Sequence, residues 1–176
     1  MNYMKVSGRV KPGRLPTEIA MKCLSFIQPW ATLVILGAKR WETRSWHTHY
    51  RGPLAIHASR NFPEAARDLC YREPYRSLLV PAGYKSSADL PLGRVLGTVD
   101  LLDCLPARVA AAKWPVNSLE IALSDYRSGR WAFQLDHAVR FALPIPVAGR
   151  LGLFDVPEIA EAQSIALPLT AAVASH

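Results

Sequence analysis

The sequence predicts an α+β fold, a small mixed β-barrel with short peripheral helices. Three observations carry this expectation. About five or six short segments have strand patterning. Only about two or three short helices lie between them. The later strands follow one another without long helices, which argues against a doubly wound sheet.

In chain order, Cys23–Ile27 reads as a strand. Pro29 at the first helical position and Gly37 past the last frame a short helix, Trp30–Leu36. Such a helix cannot stand alone in water, so Trp30, Leu33 and Val34 must dock on a sheet. Arg40–Trp46 and Leu54–Ser59 read as strands joined by a loop that ends in Gly52–Pro53. Phe62, Ala66, Leu69 and Cys70 have the spacing of an amphipathic helix, with Pro63 near its start. Arg94–Leu102 is strand-like, and Ser118–Leu123 suits a helical turn. Trp131, Phe133 and Leu135 alternate with Ala132, Gln134 and Asp136, as in a half-buried strand. Val139–Leu143 and Pro146–Phe154 complete the set, their prolines marking edges or strand starts.

The chain of 176 residues has a net charge of +7 and is half apolar, an ordinary globular composition. A core of this size buries roughly 70% of the unfolded surface without disulfides or metals. No apolar run approaches the roughly 18–20 residues of a membrane span. Cys23, Cys70 and Cys104 are odd in number and widely spaced, so free thiols in a reducing, cytoplasmic setting are expected. The expected organisation is a basic, flexible arm over residues 1–21, a domain over 22–158 and an Ala-rich tail over 159–176. Motifs for P-loops, dinucleotide folds, zincins and nucleophile elbows are missing, and no cofactor is expected.

The informative region is Gln28–Arg60. It holds Trp30, Trp41 and Trp46, Tyr50, and His47, His49 and His57. Lys39, Arg40, Arg44, Arg51 and Arg60 face a single acid there, Glu42. Cations meet phosphates and flat rings stack on unpaired bases, so this mixture suits nucleic acid. Buried tryptophans with a solvated cationic rim would give the same composition. Glu42 and Arg44 lie two apart and share one strand face, while Gly37 frees the turn from which Lys39 projects. Such a cluster could hold a phosphate or a base edge, or plug a barrel end as an ion pair. His47 and His49 with His57 would suit zinc, but without a cysteine or second carboxylate nearby no metal site is expected. Ser59 shares a face with His57, either as a hydroxyl for chemistry or as a partner for strand-end backbone.

Gln28-Pro-Trp30 followed by Gly37, Lys39, Glu42 and Arg44 in a G-x-K-x-x-E-x-R pattern resembles the ASCH domain family. Arg51–Ser59, Gly93–Asp103, Trp131-Ala-Phe133 and Gly149–Phe154 extend the resemblance over about residues 22–157. It implies a PUA-like barrel and a partner that is RNA, single-stranded or structured, or a nucleotide. The implied cleft would draw on Trp30, Lys39, Glu42, Arg44, Trp46, Tyr50, Arg51, His57, Ser59 and Arg60. Hydrolases of RNA or of acetylated cytidine also occur in this neighbourhood, and would draw here on Lys39, Glu42, Tyr50 and Ser59. Glu42 stands where the amidohydrolases carry a threonine, and a carboxylate cannot replace that hydroxyl without changing the mechanism. A protein-interaction module, with the motif purely structural, is the remaining alternative.

Overall fold

The computed structural model describes residues 20–156, 159 and 167–168. Its main sheet runs β2-β5-β4-β3-β1-β6, and β7 pairs with β5 at Val139 and Arg140. The strands are β1 (Met21–Phe26), β2 (Trp41–Arg44), β3 (Gly52–Ala58), β4 (Arg94–Pro106), β5 (Trp131–Pro146), β6 (Leu153–Val156) and β7 (Leu167–Pro168). β1 and β3 are parallel, and every other pairing is antiparallel. Among the described residues no helix is long and apolar enough to cross a membrane. Most of the expected arm and most of the expected tail lie outside the described residues, and Met21, placed in the arm by the sequence, begins β1.

Helix α1 (Trp30–Ile35) lies on the path from β1 to its parallel neighbour β3. Ala31, Val34 and Ile35 pack on the sheet core with Leu24, Phe26, Leu54 and Phe133. Leu33 faces a second cluster with Phe62, Tyr75, Leu79 and Leu123. Being apolar on both sides, this short helix is held by packing rather than by propensity. Pro29 is its N-cap rather than its first helical residue, and the buried Gln28 amide supplies the cap. Gln28 Oε1 accepts from the Thr32 N–H at 3.1 Å, and its Nε2 donates to the Pro91 carbonyl at 2.9 Å. Gly37, at φ +72°, turns the chain so that the Ala38 and Lys39 amides both donate back to Leu33 O.

Helix α2 (Glu64–Leu69) follows Pro63 as expected, and α5 (Leu119–Ala122) starts at Ser118, whose hydroxyl accepts from Ile121 N–H. Helices α3 (Tyr75–Leu79) and α4 (Ala107–Ala111) have no counterpart in the sequence reading. Five residues are too few to show helical periodicity. The expected strands Trp131–Asp136 and Val139–Leu143 are one continuous strand, β5. It bends at His137, which has φ +53° and is held by Asp136 and Asp100. Register shifts against β4 accompany the bend. Of the expected strand at Pro146–Phe154, Pro146 ends β5 and Leu153 and Phe154 begin β6, with a loop between them.

The α+β architecture with short peripheral helices is present, but among the described residues backbone hydrogen bonds do not close the sheet. β2 and β6 end its path without pairing to each other. Arg44 of β2 instead reaches β1 by its side chain, Nη2 donating to the Ser25 carbonyl at 2.7 Å. The candidate site opens beside this side-chain bridge.

Candidate functional site

Two cavities flank Ser25, and Ser25 lines both. The first, of about 460 Å³, lies between β1, β2, α1 and the segment after α5. At its base Glu42 sits between two cations. Its Oε2 is 3.3 Å from Lys39 Nζ, and its Oε1 is 3.0 Å from Arg44 Nε. Lys39 is 2% exposed, so from the turn it projects into the protein. Gly37 turns the chain inward, and the ammonium donates to the carbonyls of Trp41 at 2.5 Å and Leu123 at 3.0 Å, and to Ser124 Oγ. Burial lowers the Lys39 pKa below that of an ordinary lysine, and Glu42 works against the shift.

Trp30 and Tyr75 meet edge to face in the wall, ring centres 6.2 Å apart, and Trp30 Nε1 donates to Leu123 O. Phe26 completes the aromatic lining beneath the Arg44 guanidinium, 5.0 Å from its ring centre. At the mouth Arg130 donates to Thr43 O at 2.8 Å and lies 3.5 Å from Asp125. Arg127 grips Asp125 with two hydrogen bonds, and its carboxyl is held down at about 2 by them first and by Arg130 in addition. The cavity thus has three cations and two carboxylates under an aromatic wall. Donors and acceptors alternate there, which suits the polar edge of a flat heterocycle more than a bare anion.

The second cavity, of about 440 Å³, has a different balance: Arg60 and Arg150 line it with Ser25, His57, Ser59 and Gly149. His57 is buried on β3, its Nδ1 3.0 Å from Ser25 Oγ and its Nε2 3.1 Å from Val147 O. Burial lowers the His57 pKa, the Val147 hydrogen bond opposes this, and Arg60 adds to the lowering.

The ten residues expected in one cleft are therefore divided. Trp30, Lys39, Glu42 and Arg44 meet in the first cavity, and His57, Ser59 and Arg60 in the second. Trp46, Tyr50 and Arg51 line neither. Trp46 packs edge-on against Phe133 in the core, 5.1 Å between ring centres. The Tyr50 hydroxyl donates to Pro53 O, and Arg51 pairs with Asp103 at 2.9 Å. Ser59 Oγ accepts from the Asn61 N–H at 3.0 Å, the strand-end role weighed for it. Of the four residues named for hydrolysis only Lys39 and Glu42 are brought together. Ser124, Asp125 and Arg130 come from segments remote from the motif and carry no pattern of their own, while Ser25, Gly149 and Arg150 lie in segments the sequence marks as strand or family pattern without marking them as site residues.

A model of the ASCH domain matches residues 24–164, most of the chain. The chain belongs to the ASCH domain family. Over 98 residues this ASCH domain is 41% identical to Activating signal cointegrator 1 of Homo sapiens and to that of Mus musculus. That stretch is 56% of this chain but only 17% of the length of either relative. Among solved structures it is similar to ASCH from Zymomonas mobilis, with a TM-score of 0.52 and 15% identity, covering 85% of this chain and 97% of that one. A tyrosine-to-phenylalanine mutant of the same protein superposes with a TM-score of 0.51, also at 15% identity, over 84% and 99% of the two chains. At such identity the likeness establishes the fold alone.

Proposed function

We propose that this ASCH domain binds RNA or a nucleotide by taking an unstacked base into the first cavity. The observation that carries the reading is Glu42 held between Lys39 and Arg44 under the Trp30 wall. An acceptor fixed between donors reads the polar edge of a base, while the aromatic wall supplies sequence-tolerant contact. The test is fluorescence anisotropy of labelled single-stranded RNA with the full chain and with Trp30→Phe, Arg130→Gln and the remote Lys113→Ala. Saturable binding weakened by the first two and little changed by Lys113→Ala supports the reading. Equal losses from all three would reduce the interaction to diffuse attraction by a +7 chain. A protein ligand bound with no affinity for RNA would favour an interaction module, as the name of the cointegrator relatives suggests.

A second reading rests on the contact between Lys39 and Ser124. A serine beside a buried lysine is a known form of activated nucleophile. Here the ammonium already serves two carbonyls and Glu42, which holds it in the charged form and opposes a base role. Turnover of short RNAs or acetylcytidine that is abolished by Ser124→Ala would establish this hydrolase reading over simple binding.

A further inference from the structure

We propose that the second cavity is a phosphate subsite holding the phosphodiester next to the base taken by the first, an inference that rests on the base-binding reading. Charge separates the two cavities. In the first, each cation among Lys39, Arg44 and Arg130 lies within ion-pair distance of Glu42 or Asp125. In the second, Arg60 and Arg150 have no carboxylate partner among the described residues. Two unpaired guanidinium groups around one cavity suit phosphate, whose oxygens accept from their planar forks.

The floor of the cavity is built with unusual closeness. A Cβ placed on Gly149 would lie 2.5 Å from His57 Cε1, 2.9 Å from its Nδ1 and 3.0 Å from Ser25 Oγ. Backbone at this position therefore rests directly on the His57–Ser25 pair, and a side chain has no room. Val147 O can only accept, so His57 Nε2 carries a proton. In the neutral ring Nδ1 is then the acceptor, and the Ser25 hydroxyl turns its proton toward it.

An anion between Arg60 and Arg150 alters that arrangement. Its charge favours the imidazolium form of His57. Nδ1–H then donates to Ser25 Oγ, releasing the hydroxyl proton toward the phosphate. The groups facing His57 are Ser25 from β1, Val147 and Gly149 from the β5–β6 loop, Arg60 after β3, and the edge of Phe154 from β6. Among the described residues no carboxylate faces the ring, so bound phosphate would supply the anion that acts on it. The two subsites share one residue, since Ser25 offers its carbonyl to Arg44 and its hydroxyl to His57.

The experiment follows the His57 imidazole signals by NMR in the full chain, titrated with hexauridylate and separately with inorganic phosphate. Both are expected to shift the ring saturably. The exposed Arg60→Gln and Arg150→Gln should each weaken binding by about tenfold, as for a charged hydrogen bond, while the remote Arg76→Gln has little effect. Hexauridylate has no group titrating near neutrality, so its affinity should rise between pH 7 and 5.5, and His57→Gln should flatten that rise. Arg130→Gln should weaken hexauridylate and spare inorganic phosphate. If Arg130→Gln changes neither while the Arg60 and Arg150 effects persist, the subsite stands and the base-binding reading falls. Binding of inorganic phosphate without hexauridylate would overturn the phosphodiester assignment in favour of a free or terminal phosphate. Unmoved His57 signals, or equal losses from Arg60→Gln, Arg150→Gln and Arg76→Gln, would overturn the subsite itself.

Discussion

Lys39 Nζ lies 3.3 Å from Glu42 Oε2 at the bottom of the first cavity, and the lysine side chain is almost wholly enclosed. The pair therefore serves the fold as well as any ligand. Removing the acid leaves a buried ammonium with only neutral acceptors.

Glu42→Gln should destabilise the domain by about 3 kcal/mol at neutral pH, because an uncompensated buried charge is costly. The pH dependence has a definite sign. Burial places the folded pKa of Lys39 below its ordinary 10.5, so the unfolded chain binds more protons in the window between them. Stability rises with pH through that window. Losing Glu42 lowers the folded pKa further, so the deficit of the variant should shrink from pH 7 to pH 10 in urea denaturation. A deficit independent of pH would refute this account.

His57 gives a slope of the same sign on the acid side. Its folded pKa lies below the ordinary 6.5, mainly through burial, so stability falls as pH drops from 6.5 through the folded value. His57→Gln keeps a donor for Val147 O and cannot become charged. Its melting temperature should fall less than that of the parent between pH 7 and pH 5. The exposed His137, whose pKa is raised first by its hydrogen bond to Asp100, contributes in the other sense: its stabilisation is present below 6.5 and lost at higher pH. It is intact in both proteins and cancels from the comparison.

Gly97 is required by the close approach of β4 and β5. A Cβ there would lie 2.1 Å from Val139 O, a backbone atom with nowhere to go. Gly97→Ala should cost about 3 kcal/mol, the upper end of ordinary overpacking penalties. The check is a lowered urea midpoint with an unchanged m-value. An unaltered midpoint would mean that the bulged register of β5 relaxes freely.

Trp30 tests the first cavity from its wall. Trp30→Ala should weaken single-stranded RNA binding by about 1–3 kcal/mol, the range for loss of one stacking ring, without altering the salt dependence. Because Trp30 also packs on Tyr75, a parallel melting curve separates lost contact from lost structure. Trp46→Ala, by contrast, should act through stability, since its ring packs on Phe133 and lines neither cavity. An RNA-binding loss at Trp46 with an unchanged melt would contradict the division of the site.

Local pattern by itself determined the α1 segment, the alternating strand at Trp131–Leu135 and the family motif at Gly37, Lys39, Glu42 and Arg44. A turn glycine, a period of two and a charged face shared by residues two apart all act within a few residues. Only the tertiary structure decided which way Lys39 points, because the acceptors that draw it inward come from Trp41, Leu123 and Ser124, two of them on the far side of the chain. It likewise joined two apparent strands into β5, since pairing with a long β4 carries the chain through the bend at His137. The division of one expected cleft into two cavities was equally hidden. Ser25 stands between them because Arg44 bridges an edge that backbone hydrogen bonds leave open, and no local pattern records a contact between β1 and β2.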